Sequence, residues 1–576
     1  MRLGPWLSAA AAMLPSVAAT VDNRTLAYKP RFKEEVDMTP TPTLVWDTSQ
    51  RRSTFWYTNR DPVPNNWVGI WYAHVGEPVN GTKVHPPLRW AFAPGMDDRV
   101  HLETDTLPRG FAYRALYLAA DSYRTLADPV DLTTGDPGRD VAWLADEVTL
   151  SPARQGRYWS HDVRGLFRMV GDPATEFRIT FSSAGWTRIT PRGILHGTPD
   201  AHTKGVARLE VQAVNPSGRY NQKRMFNQRV WLRVRVADRD EQPVVSELRV
   251  MTWNLWEAGS HAADRHRKQV AAVVKTGADV VALQEARGEA DGDDAALRLA
   301  AAMGWWALSR PGGAAVISRY PIVEALEGGP RGTAGVKIEI PGDERRRMVV
   351  WSAAFTSEAE EERYGPHALC WNKTSVAGVL EMEERSGRVA RAEELAETLA
   401  PYVANAETEA VFVAGGFGSP SHLDYTDETA RTHCGAGAEM AWPVSRILVG
   451  AGLTDLYRKA RPDPKGDPGN TWSEVRRDAL RGLPGETVPE PHDRVDVLYG
   501  AGGEGMKLTL RDSVVFHLLK NGYGVHPVSD PRHKYNLWPS DHDAVVTSFY
   551  INGQHTWNST RGNNSIGDVG LFARRG

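Results

Sequence analysis

The chain has 576 residues, which is too long for one hydrophobic core, so we expect two to four domains. Hydrophobic residues make up 41% of the sequence and charged residues 24%, which is ordinary for a globular protein. The 68 lysines and arginines nearly balance the 71 aspartates and glutamates. This balance argues against a protein dedicated to nucleic acid, because contacts with phosphates normally require a clear basic excess.

Residues 1–19 have the pattern of a secretory signal peptide. Arg2 supplies a positive charge, Trp6 to Val17 form a short apolar stretch, and small residues at 16–19 offer a cleavage site. A disordered alanine-rich tail is the alternative. No later apolar run approaches the ~18 residues that a membrane-spanning helix needs. We therefore expect a secreted, soluble protein.

Two further features are compatible with secretion. The chain has only two cysteines, Cys370 and Cys434, which form either a disulfide or two buried free thiols. Sequons for N-glycosylation occur at Asn23, Asn80, Asn372, Asn558 and Asn563.

The first folded region is predicted to be a β-sandwich over residues 43–150, after a proline-punctuated linker at 20–42. Short apolar runs such as Trp67 to Tyr72 and Phe111 to Leu118 alternate there with turn residues. The first of these runs, together with Leu107-Pro108-Arg109-Gly110, resembles the small sandwich domains called SKICH. Such domains accompany some phosphoinositide phosphatases. An unrelated sandwich is the alternative.

A second all-β domain is predicted over residues 160–237. Apolar and polar residues alternate in Phe177 to Phe181, Ala207 to Ala213 and Leu232 to Val236, as in strands with one buried face. Together with Gly193 to Pro199, these strands resemble the immunoglobulin-like domains found beside extracellular catalytic modules. The resemblance implies a spacer or an adhesion module.

Strands and helices are mixed over residues 247–552, and the tail at 553–576 is rich in Gly, Asn and Ser. Helices are expected at about 261–276 and 389–399. The buried strands are expected at 248–253, 280–283, 314–317, 349–352, 411–414, 495–499 and 544–549. This mixture predicts an α+β domain in which two packed mixed sheets are covered by helices.

Polar residues follow several of these strands. Asn254 follows the first strand, and Glu285 ends the wholly apolar strand at 280–283. A helix separates these two positions by about thirty residues, and the segments Ser318-Arg319-Tyr320-Pro321 and Trp538-Pro539-Ser540-Asp541-His542 follow in order. Over about 248–549 the chain thus resembles the endonuclease/exonuclease/phosphatase family, whose fold is like that of deoxyribonuclease I.

The resemblance implies a four-layer sandwich and a phosphoester hydrolase that uses Mg²⁺ or Mn²⁺. Glu285 would be the main metal ligand, Asn254 would anchor the phosphate or metal, and Asp541 would lie in the metal shell. His542 would contact the scissile phosphate and handle protons. Asp496, with Asp493 as the rarer spacing, would place a carboxylate near the imidazole. A structural turn is the alternative for either aspartate.

Three family positions lack their functional side chain. Gly416 and Gly418 replace the Asp and Asn of the family's Gly-Asp-Phe-Asn segment, and Ala354 stands where a His is usual. Neither glycine has a side chain that can ligate, take up a proton or donate a hydrogen bond. His367 and His433 lie close in sequence to these gaps and are candidates to substitute. Each lost proton-transfer group typically costs ~10²–10⁴ in rate.

Two functions follow from these observations. One is a secreted, metal-dependent phosphodiesterase or phosphatase whose catalysis is weakened or lost. The other is a non-catalytic extracellular binding or adhesion module with the same fold. The partner would be a phosphoester-containing ligand, with a phospholipid head group, an inositol phosphate and nucleic acid all left open because fold does not fix function.

Overall fold

The computed structural model describes residues 26–28 and most of 42–551. The predicted signal peptide, the five sequon asparagines, His433, Cys434 and the tail lie outside the described residues. Within 42–551, the longer runs that are not described are 48–52, 73–77, 103–111, 134–141, 169–175, 215–228, 356–364, 430–438, 481–486, 503–507 and 518–526.

Up to Asn254 the described part of the chain consists of strands and a short 3-10 helix, Arg164–Leu166, and thereafter strands and α-helices are mixed. The strands of the N-terminal half are β1 Leu26–Tyr28, β2 Thr43–Asp47, β3 Ser53–Thr58, β4 Trp67–Tyr72, β5 Arg89–Phe92, β6 Asp97–Leu102, β7 Ala112–Leu118, β8 Val130–Thr133, β9 Ala142–Trp143, β10 Glu147–Thr149, β11 Ala153–Arg154, β12 Trp159–Asp162, β13 Phe167–Arg168, β14 Glu176–Ser182, β15 Arg188–Ile189, β16 Ile194–Gly197, β17 Gly205–Val214 and β18 Arg229–Ala237. The strands of the C-terminal half are β19 Glu247–Asn254, β20 Val280–Gln284, β21 Trp306–Ser309, β22 Ala315–Ser318, β23 Ile322–Leu326, β24 Thr333–Glu339, β25 Arg347–Ala354, β26 Ala410–Gly416, β27 Thr454–Asp455, β28 Asp478–Leu480, β29 Thr487–Pro489, β30 Asp496–Ala501, β31 Leu508–Phe516 and β32 Ala544–Ile551. The helices are α1 Trp256–Gly259, α2 Arg265–Thr276, α3 Ala295–Met303, α4 Gly365–Cys370, α5 Val376–Arg385, α6 Arg388–Ala404, α7 Pro443–Gly450 and α8 Leu456–Ala460.

The first β region consists of a three-stranded sheet, β2-β3-β6, and a four-stranded sheet, β5-β4-β7-β8. Phe55 and Tyr57 of the first sheet share one buried cluster with Val68, Ile70 and Tyr113 of the second. The buried side chains of these strands therefore join the two sheets through a common core. The predicted strands at 67–72 and 111–118 are confirmed, as β4 and β7.

The second β region is built on a five-stranded sheet whose main path is β10-β18-β17-β14. The three strands predicted from alternation are β14, β17 and β18, and they lie side by side in antiparallel register. β10 and β11 pair in parallel with β18, so this sheet reaches back to residue 147, before the predicted domain start at 160. The SKICH-like and immunoglobulin-like assignments of the two β regions stay predictions.

The C-terminal half contains two large mixed sheets. The seven-stranded sheet has the order β1-β21-β22-β20-β19-β32-β31, and the six-stranded sheet has the order β23-β24-β25-β26-β30-β27. In each sheet one central pair is parallel, β19 with β20 and β25 with β26. The edge strand β1 lies within the segment predicted to be a linker.

Apolar side chains from both sheets form one buried cluster. Val250 and Val280 of the first sheet share it with Val350 and Phe412 of the second. A different cluster joins α6 and α7 to the six-stranded sheet, and α2 and α3 share a cluster with the seven-stranded sheet. The predicted class of mixed sheets with few helices is confirmed, and the exact layer order stays a prediction. Two helices differ from their predicted bounds. The helix predicted at 261–276 begins at Arg265, and the helix predicted at 389–399 spans Arg388–Ala404.

Candidate active site

The predicted site residues meet at one rim of the two sheets because each lies where a strand ends or begins. Asn254 ends β19 opposite Gln284, the last residue of the parallel strand β20, and Glu285 follows directly. On the second sheet, Gly416 ends β26 and pairs with Asp496, the first residue of β30. Asp541 and His542 come shortly before β32. The strand ends therefore bring together all five residues predicted to be functional.

His542 and Asp496 form a closely paired imidazole and carboxylate. His542 Nδ1 lies 2.8 Å from Asp496 Oδ2, and Asp496 is fully buried. Burial alone lowers the pKa of His542, but Asp496, Asp541 and Glu285 outweigh burial and raise this pKa to about 9. The second oxygen of Asp496, Oδ1, is buried and has no hydrogen-bond partner among the described residues.

The alternative residue Asp493 has a structural environment. Its Oδ1 accepts a hydrogen bond from the Tyr425 hydroxyl at 2.8 Å, and its backbone pairs with that of Trp472. Of the two aspartates, the structure therefore places Asp496, and not Asp493, against the imidazole.

Glu285 and Asn254 are linked to each other and to a strained turn. Asn254 Nδ2 donates to Glu285 Oε1 at 3.0 Å, and the backbone N–H of Glu257 donates to Glu285 Oε2 at 3.0 Å. Positive φ angles occur at Glu285 (48°) and within α1 at Trp256 (53°), Glu257 (51°) and Ala258 (59°), so α1 is a left-handed turn and not a regular α-helix. Left-handed backbone at bulky residues costs roughly 1–3 kcal/mol each and is concentrated at functional sites. The rim thus has the strain expected of a ligand-binding site.

The three positions without a functional side chain are neighbours at the same rim. Ala354 lies beside Gly416 in the parallel register of β25 and β26. A Cβ atom at Gly416 would lie 3.1 Å from Asp496 Oδ1 and 3.8 Å from Asn254 Nδ2, so this position faces the site. At Gly418, φ is +62° and a Cβ atom would lie only 2.9 Å from Arg388 Nε and from the Phe355 carbonyl.

Two residues that sequence reasoning missed complete the site, Trp472 and Arg476. The ring of Trp472 lies 4.7 Å from that of His542, centroid to centroid. Arg476 Nε donates to Asp541 Oδ2 at 2.8 Å, and its guanidinium lies 5.4 Å from the Trp256 ring centroid and 5.6 Å from that of Trp472. A single Trp and a single Arg in a loop give no sequence signal for this arrangement.

Three histidines lie close in sequence to the gaps, and His433, one of the two predicted to substitute, lies outside the described residues. His422 is half-buried and its Nδ1 lies 2.8 Å from Ser445 Oγ. Burial, followed by the charge of Arg446, lowers the pKa of His422. His367 lies on α4, whose buried residues pack with Trp442 and Tyr425. No hydrogen bond between His367 and the predicted site residues is found in the described part of the chain.

The fold and the rim define a domain of the phosphoester-hydrolase type. The family model for the Endonuclease/Exonuclease/phosphatase family matches residues 251–542, which is half of the chain. The chain therefore belongs to the endonuclease/exonuclease/phosphatase family and descends from phosphoester hydrolases. An uncharacterized protein of Caenorhabditis elegans, F14F9.5, is 27% identical over 312 residues, which cover 52% of this chain and 91% of that protein.

Solved structures of three proteins are similar over the same half. Zebrafish (D. rerio) TDP2 with a single-stranded DNA product is 13% identical, with a TM-score of 0.32 over 53% of this chain and 99% of that chain. The human Nocturnin catalytic domain is 16% identical, with a TM-score of 0.33 over 54% and 96%. The Bacteroides thetaiotaomicron mannosyl-6-phosphatase Bt3783 is 12% identical, with a TM-score of 0.29 over 52% and 99%.

Members of this family typically depend on a divalent metal, but the donors at this rim do not fit one well. Both oxygens of Glu285 accept N–H groups, Asn254 turns its amide nitrogen towards Glu285, and Asp541 is paired with Arg476. A hard cation such as Mg²⁺ requires a shell of oxygen ligands. Among the described residues, no group of three or more His, Cys, Asp or Glu side chains is arranged to hold a metal ion.

Two features of the described chain bear on its environment. None of the helices that are described is both long and apolar enough to cross a membrane. Cys370 is disulfide-bonded, and Cys434 is the only other cysteine in the sequence.

Proposed function

We propose that this protein is secreted and that its C-terminal site binds a phosphoester-containing ligand, with hydrolysis weakened or lost. The observation that carries the proposal is the position of Gly416 between Asp496 and Asn254. A family carboxylate at this point would activate water, whereas glycine supplies no group that moves a proton. At Ala354, on the adjacent strand end, the imidazole that is usual in the family is also missing.

Residual hydrolysis is the second candidate, and the pair of His542 and Asp496 favours it. An imidazole held by a buried carboxylate is suited to stabilising charge on a phosphoryl group or transferring a proton. The loss of several such groups is not additive, so a slow reaction remains compatible with this site.

Secretion and the nature of the ligand belong to the same proposal. The disulfide at Cys370 supports an oxidising compartment, in which such bonds form and persist. The two N-terminal β regions would then act as extracellular spacer or adhesion domains, one SKICH-like and one immunoglobulin-like. A phospholipid head group, an inositol phosphate and nucleic acid remain the candidate ligands.

The test is hydrolysis of a generic aryl phosphodiester and of plasmid DNA by the purified full chain. It is run with Mg²⁺, with Mn²⁺ and with a chelator, beside Glu285→Ala and His542→Ala. We expect wild-type turnover at the background level, unchanged by either substitution. Metal-dependent turnover that both substitutions abolish would refute the loss of catalysis and establish a working enzyme with an unusual site.

A further inference from the structure

Arg476 is held in a fixed position at the mouth of the site. Its Nε donates to the buried Asp541, and its guanidinium lies near the indole rings of Trp256 and Trp472. The backbone N–H of Arg476 also donates to Ser473 Oγ at 3.2 Å. Even so, 40% of the Arg476 side chain is exposed. The cation is therefore oriented by its neighbours and still accessible to a ligand.

The guanidinium pairs with Asp541, which the resemblance to the family places in the metal shell. Asp541 is 4% exposed at its side chain, and Arg476 supplies the positive charge that compensates it. A guanidinium remains protonated at all physiological pH values and offers two parallel N–H groups to the oxygens of a phosphate. Arg476 uses Nε for Asp541, and no hydrogen bond of its Nη atoms is found among the described residues.

We propose that Arg476 binds the phosphate group of the ligand directly and that this binding needs no divalent cation. The inference rests on the proposed function and names how the same site holds its ligand. The side chains missing at Gly416 and Ala354 and the engaged oxygens of Glu285 leave Arg476 as a fixed positive charge of the site, and it shares the neighbours Asp541 and Trp472 with His542. The guanidinium thus supplies the positive charge that a divalent metal typically supplies in members of the family.

Removal of Arg476 should have opposite effects on phosphate binding and on metal binding. Since Arg476 is hydrogen-bonded to Asp541, removal of the guanidinium leaves this buried carboxylate with the weaker compensation of His542, whose Nε2 lies 4.0 Å from Asp541 Oδ1. Arg476→Gln should therefore weaken phosphate binding and strengthen Mn²⁺ binding. A purely structural arginine would affect the two ligands in the same direction or not at all.

The experiment is calorimetric titration of the full chain with Mn²⁺ and, in a chelator and in Mg²⁺, with inorganic phosphate, phenyl phosphate and diphenyl phosphate. The last two probes distinguish a monoester from a diester. Arg511→Gln is the matched control, because Arg511 also pairs with a carboxylate, Glu247, and lies 5.3 Å from an aromatic ring, that of Tyr550. Thermal unfolding of each variant checks that it is folded, and Arg476→Lys tests whether charge alone suffices.

We expect phosphate binding that the chelator leaves unchanged, weakened about ten- to a hundredfold by Arg476→Gln and unaffected by Arg511→Gln. Arg476→Lys should recover only part of the affinity, because lysine lacks the two parallel N–H groups of a guanidinium. Binding that requires Mg²⁺ and survives Arg476→Gln would overturn this inference while leaving the proposed function intact. Absence of binding under every condition would overturn both.

Discussion

His161 lies at the contact between the second β region and the C-terminal half, and it should make the protein less stable in mild acid. It is 1% exposed on β12, its ring stacks on Trp159, and its Nε2 has no hydrogen-bond partner in the described part of the chain. A Cβ atom at Gly304, just after α3, would lie 2.9 Å from His161 Cε1. The imidazole is therefore enclosed by both regions.

Burial lowers the pKa of His161 from 6.5 to about 4, and the nearby charge of Arg319 acts in the same direction, against the opposing charge of Asp162. Between pH 6.5 and 4 the unfolded chain therefore binds a proton that the folded protein excludes. Stability is lost as pH falls through this window, and it is retained above it. At about 1.4 kcal/mol per pH unit, the loss approaches ~3 kcal/mol near pH 4.

The assay is urea unfolding at a series of pH values from 7.5 to 4, for the wild type and for His161→Phe. The variant keeps a ring against Trp159 but has no group to protonate, so it should lose ~3 kcal/mol less than the wild type over this range. The difference between the two proteins removes the contribution of carboxylates that titrate in both. His196→Phe, which replaces a half-buried histidine on β16, is the matched control. Equal pH dependence of wild type and His161→Phe would refute the reasoning.

Three further predictions concern stability. Arg494 is fully buried between Asp424 and Asp455, so Arg494→Ala should lower the free energy of unfolding by ~3–5 kcal/mol in urea titrations, with no change contradicting the role of the ion cluster. Cys370→Ser, or a reducing agent on the wild type, should remove ~2–4 kcal/mol, measured by thermal unfolding, and equal midpoints would contradict a stabilising disulfide. Gly418→Asn should cost ~1–3 kcal/mol because of its positive φ and its contact with Arg388, and Gly416→Ala, without positive φ, should cost less.

The strands of the C-terminal domain could be predicted because they are continuous apolar runs. Val280 to Gln284 is buried at every residue, and the observed strand extends the predicted one by a single position. The same signal placed Asn254 and Glu285 at strand ends, whereas their roles and the importance of Gly416 came from the resemblance to the family. Where a buried strand ends, the sequence therefore contains most of the information about the rim.

The remainder of the site depends on contacts that no local pattern contains. Arg476 reaches Asp541 across 65 residues, and Trp472 contacts His542 from a loop. The edge strand β1 pairs with β21, which lies far along the chain. Its short sequence shows no sign of this pairing, and it was therefore predicted to be part of a linker. Such pairings arise from tertiary packing, which overrides local propensity.

The packing around Gly418 leaves no room for a side chain at this position. Arg388 is 1% exposed, pairs with the equally buried Glu383, and occupies the space that a side chain at 418 would need. Burial raises the pKa of Glu383, and the charge of Arg388 opposes that rise. Restoring an asparagine at 418 therefore means displacing Arg388 from its contact with the buried Glu383, which is part of the ~1–3 kcal/mol expected for Gly418→Asn. Position 416 has no such obstacle beyond the 3.1 Å approach to Asp496. Any return of hydrolysis should accordingly come from Gly416→Asp with Ala354→His, while adding Gly418→Asn should reduce the yield of folded protein.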